Sequence, residues 1–261
     1  MNSLSIFLIS YILIHLIYYG ITVFIAYDSQ ISSILYYNSL EFLVTPDSPE
    51  WTYDATVSII MAGPISCFFV GVGALLLLSG RIILHPTRAN IVIWLFFLGF
   101  NFSFGQIVNG LLWGSGINNV ANLMHVPIEI KYFLSLACIY FLLLTGWHIA
   151  PGINNYAEKL NITKRKDQIF YLMSNLLLPW IAGSIIIDIF LNPNYDTQYK
   201  IINLYIGFMI IPTFFRPPQK QKQPWNFRKF TPKFHWSFLF IAIAAIFTYY
   251  SLLKGGKIFI Y

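Results

Sequence analysis

Seven long apolar runs, each bounded by polar or proline-rich residues, order this chain: 4–27, 54–79, 90–112, 130–149, 169–191, 201–215 and 235–253. An α-helix needs roughly 20 mostly apolar residues to cross the hydrocarbon of a bilayer. Most of the runs reach or approach that length. The run at 201–215 is short, so it either crosses with little tilt or begins inside residues 192–200. The runs are continuous rather than alternating, which excludes a membrane barrel. An open strand in lipid would leave its peptide groups unpaired. The pattern therefore predicts an all-α fold, a polytopic transmembrane bundle of about seven spans forming a single integral membrane domain over 1–261.

Charge adds an orientation. Of the 16 basic residues, twelve fall in three alternate loops: Arg81 and Arg88 in 80–89, Lys159, Lys164, Arg165 and Lys166 in 150–168, and Arg216, Lys220, Lys222, Arg228, Lys229 and Lys233 in 216–234. Loop 28–53 has no basic residue and carries Asp28, Glu41, Asp47 and Glu50. Cytoplasmic loops collect Lys and Arg, so the expected topology is N-in and C-out in a bacterial inner (cytoplasmic) membrane. The net charge of +6 then reflects topology and gives no reason to expect a nucleic-acid partner. The basic 216–234 loop is expected to meet anionic lipid headgroups. Composition agrees with a membrane protein: 57% of residues are hydrophobic and only 10% charged, against about 25% charged in soluble domains. Within loop 28–53, the apolar stretch 31–43 is expected to lie on the membrane surface or fold back into it. Cys67 and Cys138 fall within spans and read as small buried groups rather than a disulfide.

Polar side chains inside spans are candidates for function, because lipid offers them nothing to bond. The third run is the richest, with Asn101, Ser103, Gln106 and Asn109. Asn101, Gly105 and Asn109 recur every four positions and so share a helix face, with Gln106 at its border. Such amides also serve as interhelical glue worth about 0.6–2 kcal/mol each. Asp188 is the one acidic residue well inside a run, near its expected external end. Of five histidines, only His15 lies near a span midpoint; His85, His125, His148 and His235 fall in loops or at span ends.

Three elements in order carry a family resemblance: His15-Leu16-Ile17-Tyr18-Tyr19, Ala62-Gly63-Pro64, and Asn101 followed after seven residues by Asn109-Gly110. They resemble the site-2 protease family of intramembrane zinc metallopeptidases. That family has His-Glu-x-x-His on its first core helix, two histidines binding zinc and the Glu acting as general base. An Ala-Gly-Pro turn follows in the next span, and later an Asn, seven residues and Asp-Gly, whose Asp is the third ligand. Here His15 matches the first ligand, Leu16 replaces the base, Tyr19 the second ligand and Asn109 the third. The resemblance covers about residues 1–115, leaving 116–261 as additional transmembrane helices.

A zinc hydrolase needs three protein ligands, an open site for water and a base for its proton. Tyr19 and Asn109 are poor zinc ligands and the base is missing, so His15 and Asn109 are vestigial metal candidates. No cofactor and no peptidase activity by the family mechanism are expected. The expected role is non-catalytic: holding transmembrane or extended segments, or serving as a subunit of a membrane complex. His15, Tyr19, Asn101, Gln106 and Asn109 are expected to line one intramembrane cavity, with Pro64 shaping the backbone beside them. The alternative is a small-solute or ion transporter, in which Asp188 and the amides of the third run line a polar path. Contact of His15 with Asn109 would favour the first reading, and contact of Asp188 with the Asn101–Asn109 face the second. A haem bridging His15 and His148 is disfavoured by their different expected depths.

Overall fold

The computed structural model describes residues 3–45, 48–79, 86–114, 116–159, 162, 164–191, 201–216 and 236–261. Its first element is α1 (Ser3–Asp28), followed by a hairpin of β1 (Ser33–Leu35) and β2 (Leu40–Phe42), then α2 (Tyr53–Ser79). Next come α3 (Pro86–Phe100), a π turn at Asn101–Gly105 and α4 (Gln106–Trp113), which together form one rod. The short α5 (Gly116–Leu123) leads into the long α6 (Ile128–Lys159). A second rod consists of α7 (Arg165–Leu172), a π turn at Met173–Leu177 and α8 (Leu178–Leu191). A 3-10 turn at Ile202–Tyr205 opens α9 (Ile206–Phe215), and α10 (Trp236–Leu253) precedes β3 (Lys257–Phe259).

Among the described residues, six helices or rods are long and apolar enough to cross a membrane, with Ile202–Phe215 as a shorter apolar helix. The outer surface fits lipid rather than water. Large apolar side chains such as Phe69, Phe133, Phe170, Phe240 and Phe247 point outward, each more than 60% exposed. A soluble monomer rarely leaves so wide an apolar surface open. The chain is a multi-pass helical membrane protein.

The interior is aromatic and close-packed. Phe7, Trp94, Phe96, Phe97 and Phe100 are fully buried where α1 and α3 meet, and Phe7 packs edge-on against Trp94 at 4.8 Å between ring centres. The Trp94 indole N–H donates to the Ser3 hydroxyl at 3.0 Å, which in turn donates to the Asn175 carbonyl at 2.5 Å. Helices α2 and α3 approach at Gly99, where an added Cβ would sit 2.7 Å from the Gly71 nitrogen. Close backbone approach through small residues is the usual packing device in lipid, where hydrophobicity cannot drive helices together.

The structure adds to the all-α expectation in one place. Residues 31–43 form a hairpin closed at Tyr36 and Ser39. Its register pairs Ser33 with Phe42 and Leu35 with Leu40. Strand β3, from the far end of the chain, adds to the other edge of β1, giving the order β2-β1-β3. The Asn38-Ser39 turn chemistry lies within the apolar stretch, but the partner strand is more than 200 residues away.

A second difference concerns α6, which continues through Pro151 to Lys159 where a loop was expected after residue 149. Proline inside a helix leaves the carbonyl four residues earlier without its partner. That carbonyl belongs to Trp147, and the Arg216 guanidinium donates to it at 2.5 Å while lying 5.2 Å above the Trp147 ring. Arg216 thus supplies the bond that Pro151 cannot. Nearby, the Asn154 amide donates to the carbonyls of Thr213 and Arg216, and Arg165 donates to that of Phe214. These groups satisfy the last carbonyls of α9. His85, His235 and nearly all of the 216–234 loop, with its expected lipid contact, lie outside the described residues.

Candidate functional site

His15 sits on the buried side of α1, 7% exposed. Its Nδ1 shares a hydrogen bond of 2.6 Å with the Tyr249 hydroxyl of α10. The rest of the ring is walled by aromatic side chains: Tyr11 stacks on it at 5.8 Å, while Tyr19, Phe102 and Tyr249 meet it edge-on at 4.6, 6.2 and 5.7 Å. Tyr11, His15 and Tyr19 are spaced four apart, so α1 presents them as one stripe.

Tyr19 also faces a cavity of about 170 Å³ under the hairpin, whose walls include Tyr18, Thr22, Leu40, Phe42 and Gln106. The Ala62-Gly63-Pro64 element forms part of the support beneath it. A Cβ on Gly63 would lie 2.7 Å from the Tyr18 ring, so only glycine lets α2 approach α1 at that point. Pro64 is buried within α2. Above the cavity, β2 is an edge of the sheet. In the antiparallel ladder Ile34 pairs with Glu41 between the bonded positions 32/43 and 36/39, which turns the Leu40 and Phe42 peptide groups away from β1.

The third-run amides part company. The π turn over Asn101–Gly105 keeps Gly105 against Asn101: a Cβ there would lie 2.8 Å from the Asn101 Oδ1. Gln106 reaches the cavity with Tyr18 and Tyr19. Asn101, fully buried, donates to the Ile202 carbonyl at 3.1 Å instead. Asn109 is 2% exposed, and its Oδ1 has no hydrogen-bond partner among the described residues.

Asn101 thereby touches a second polar group of residues. Asn203, next to the carbonyl it holds, is buried, and neither its side-chain nitrogen nor its oxygen has a hydrogen-bond partner among the described residues. The Asn203 carbonyl accepts from the Trp180 indole at 2.7 Å. Asn101 and Trp180 thus both hold carbonyls of the turn before α9.

No family model, curated protein or solved structure matches the chain.

The donor set around His15 does not fit the zinc that the family resemblance implies. Its Nδ1 is engaged by Tyr249, its other neighbours are ring faces, and its ring and hydrogen-bond contacts do not include Asn109. No group of three His, Cys, Asp or Glu side chains gathers among the described residues. The structure therefore unites Tyr19 and Gln106 at one cavity, keeps His15 against Tyr19, and turns Asn101 to the Ile202 carbonyl, while Asp188 lies on α8. His148 is exposed on α6 and His125 is exposed before it.

Tyr249, Tyr11, Phe102, Asn203 and Arg216 were not singled out from sequence. Tyrosine and phenylalanine are so frequent in this chain, 17 and 24 residues, that no single one stands out. The four-residue stripe Tyr11, His15, Tyr19 was the one available signal.

Proposed function

We propose that this is a non-catalytic inner-membrane protein with a degenerate site-2-protease-like core, and that it holds an extended segment of a membrane partner beneath its hairpin. The observation that carries this reading is the cavity whose wall combines the outward-turned peptide groups of β2 with Tyr18, Tyr19 and Gln106. An edge strand offers backbone donors and acceptors to an extended chain, and flanking pockets select its side chains. Further support comes from packing: α1, α2 and the rod of α3, its π turn and α4, which carry the three motif elements, lie against one another through Tyr18 on Gly63, Gly99 on Gly71, and Phe102 beside His15. With N-in topology, the hairpin and the cavity mouth face the outside of the cytoplasmic membrane. Peptide cleavage is not part of the proposal, because the general base and two ligands are missing.

A photo-crosslinking amino acid at Ser39 or Ile117, both on the cavity wall, tests the reading in intact cells. The expected result is a discrete polypeptide adduct at both positions, lost when Gly116→Trp fills the cavity. Adducts to lipid alone would overturn it.

One observation favours a second reading, transport of a small solute or ion. Asp188 lies within the apolar helix α8, and intramembrane acidic groups line many transport paths. Under that reading, Asp188→Asn abolishes solute flux in reconstituted vesicles while leaving the crosslinks unchanged.

A further inference from the structure

A second cavity lies between α1 and α10. Its volume is about 640 Å³, and its walls are Ile12 and Leu16 on one side and Ile241, Ala244, Ala245 and Leu252 on the other. Ala244 and Ala245 leave room where larger residues would close it. The lining is almost wholly hydrocarbon, apart from Thr248, Tyr249 and, at one end, Lys257. From Ile241 to Leu253 the groove follows α10 for about 18 Å at 1.5 Å per residue. One leaflet of a bilayer core is roughly 15 Å deep.

The cation at its end is carried by a paired strand, with its side chain exposed. Lys257 opens β3 and pairs with Leu35 of β1, so the sheet holds its backbone at the hairpin end of the bundle. Among the described residues, no hydrogen bond or ion pair engages its ammonium group. Lys254, one turn away, sits instead over the Tyr250 ring at 5.6 Å. A leaflet-deep apolar slot with one cation at its surface end matches a molecule with a hydrocarbon tail and an anionic head.

We propose that this groove is a specific site for an anionic phospholipid of the leaflet on the hairpin side. One acyl chain lies between α1 and α10, and the phosphate meets Lys257. The chain passes over Tyr249, whose hydroxyl holds His15, so the bound lipid seals the His15–Tyr249 pair from the bilayer. The proposal is independent of whether the cavity under the hairpin holds a polypeptide.

The test is native mass spectrometry of the full-length protein, delipidated in mild detergent and reloaded with phosphatidylglycerol or phosphatidylcholine of the same acyl chains. The expected result is one tightly held phosphatidylglycerol per chain. Lys257→Gln should weaken it about fivefold and bring it level with phosphatidylcholine, since one Lys near a lipid surface contributes about that factor. Ala245→Phe should remove binding of both lipids, and Leu16→Trp fills the slot from the opposite wall if the first variant folds poorly. A thermal melt reports folding for each variant. Equal retention of the two lipids by the wild-type protein, retention unchanged in both groove-filling variants, or a second polypeptide bound in place of lipid would each overturn the proposal.

Discussion

Gly146→Ala is expected to cost this protein more than any other single methyl group added to the described helices. Gly146 lies on α6 where it crosses α9. A Cβ there would fall 2.3 Å from the Met209 carbonyl oxygen and 2.6 Å from its Cα. Both are backbone atoms and cannot rotate away. Carbon atoms rest at about 3.5–4.0 Å, so α9 must withdraw by about 1 Å or more. The same interface carries the Asn154 bonds to the carbonyls of Thr213 at 3.1 Å and Arg216 at 2.7 Å, and separation stretches both. Overpacking of this kind costs about 1–3 kcal/mol, each weakened buried bond adds about 1 kcal/mol, and alanine returns about 1 kcal/mol of helix propensity. The net is about 3 kcal/mol, or roughly 10 °C of melting temperature for a chain of this size. The assay is a thermal melt in detergent, followed by a fluorogenic thiol reagent on buried Cys67 and partly buried Cys138. Gly73→Ala is the control: nothing lies within 4 Å of its added Cβ, so it should melt at or slightly above the wild-type temperature. If Gly146→Ala melts with the control, the close crossing of α6 and α9 does not exist in the membrane protein.

Three further outcomes follow from the same contacts. Tyr249→Phe and His15→Leu each strand a buried polar partner and should destabilise by about 1–3 kcal/mol, whereas the double variant should cost clearly less than their sum in a double-mutant cycle. Arg216→Gln should lower the melting temperature in the native background but have a smaller effect beside Pro151→Ala, because alanine restores the backbone donor that Trp147 lacks. Gly256→Val should detach β3: Gly256 has φ +72, and a Cβ would meet Ile34 at 2.7 Å and Tyr36 at 2.8 Å. Faster amide exchange at residues 33–35 and 257–259, with little change in the helices, would be its signature.

The spans were readable because lipid imposes a simple rule. Every peptide group must bond within its own segment, so an apolar run and a helix nearly coincide. Run 4–27 became Ser3–Asp28, and run 54–79 became Tyr53–Ser79. The rule fails where something other than lipid satisfies the backbone. Arg216 allowed α6 to pass Pro151, and a distant strand turned residues 33–42 into a sheet. Site membership was harder to read than the spans. Asn101 bonds the Ile202 carbonyl and Gln106 reaches the cavity, a division set by partners far along the chain. Gln106 and Tyr19 did reach one cavity, because each lies on the side of its helix that faces the other. Nothing in the local sequence marked Tyr249 as the partner of His15, since the two are 234 positions apart.

That separation bears on how the protein is made. Helix α1 leaves the ribosome 234 residues ahead of the partner in α10. At about 5–20 residues per second, His15 waits roughly 10–50 s for the tyrosine that satisfies it. Strand β1 waits equally long for β3, and Gln30 for its bond to Tyr261. Until then a half-inserted chain shows the membrane a bare imidazole and an open strand edge. Both disappear together only when the C-terminal residues arrive. A chain interrupted before α10 therefore keeps His15 and the β1 edge without these partners.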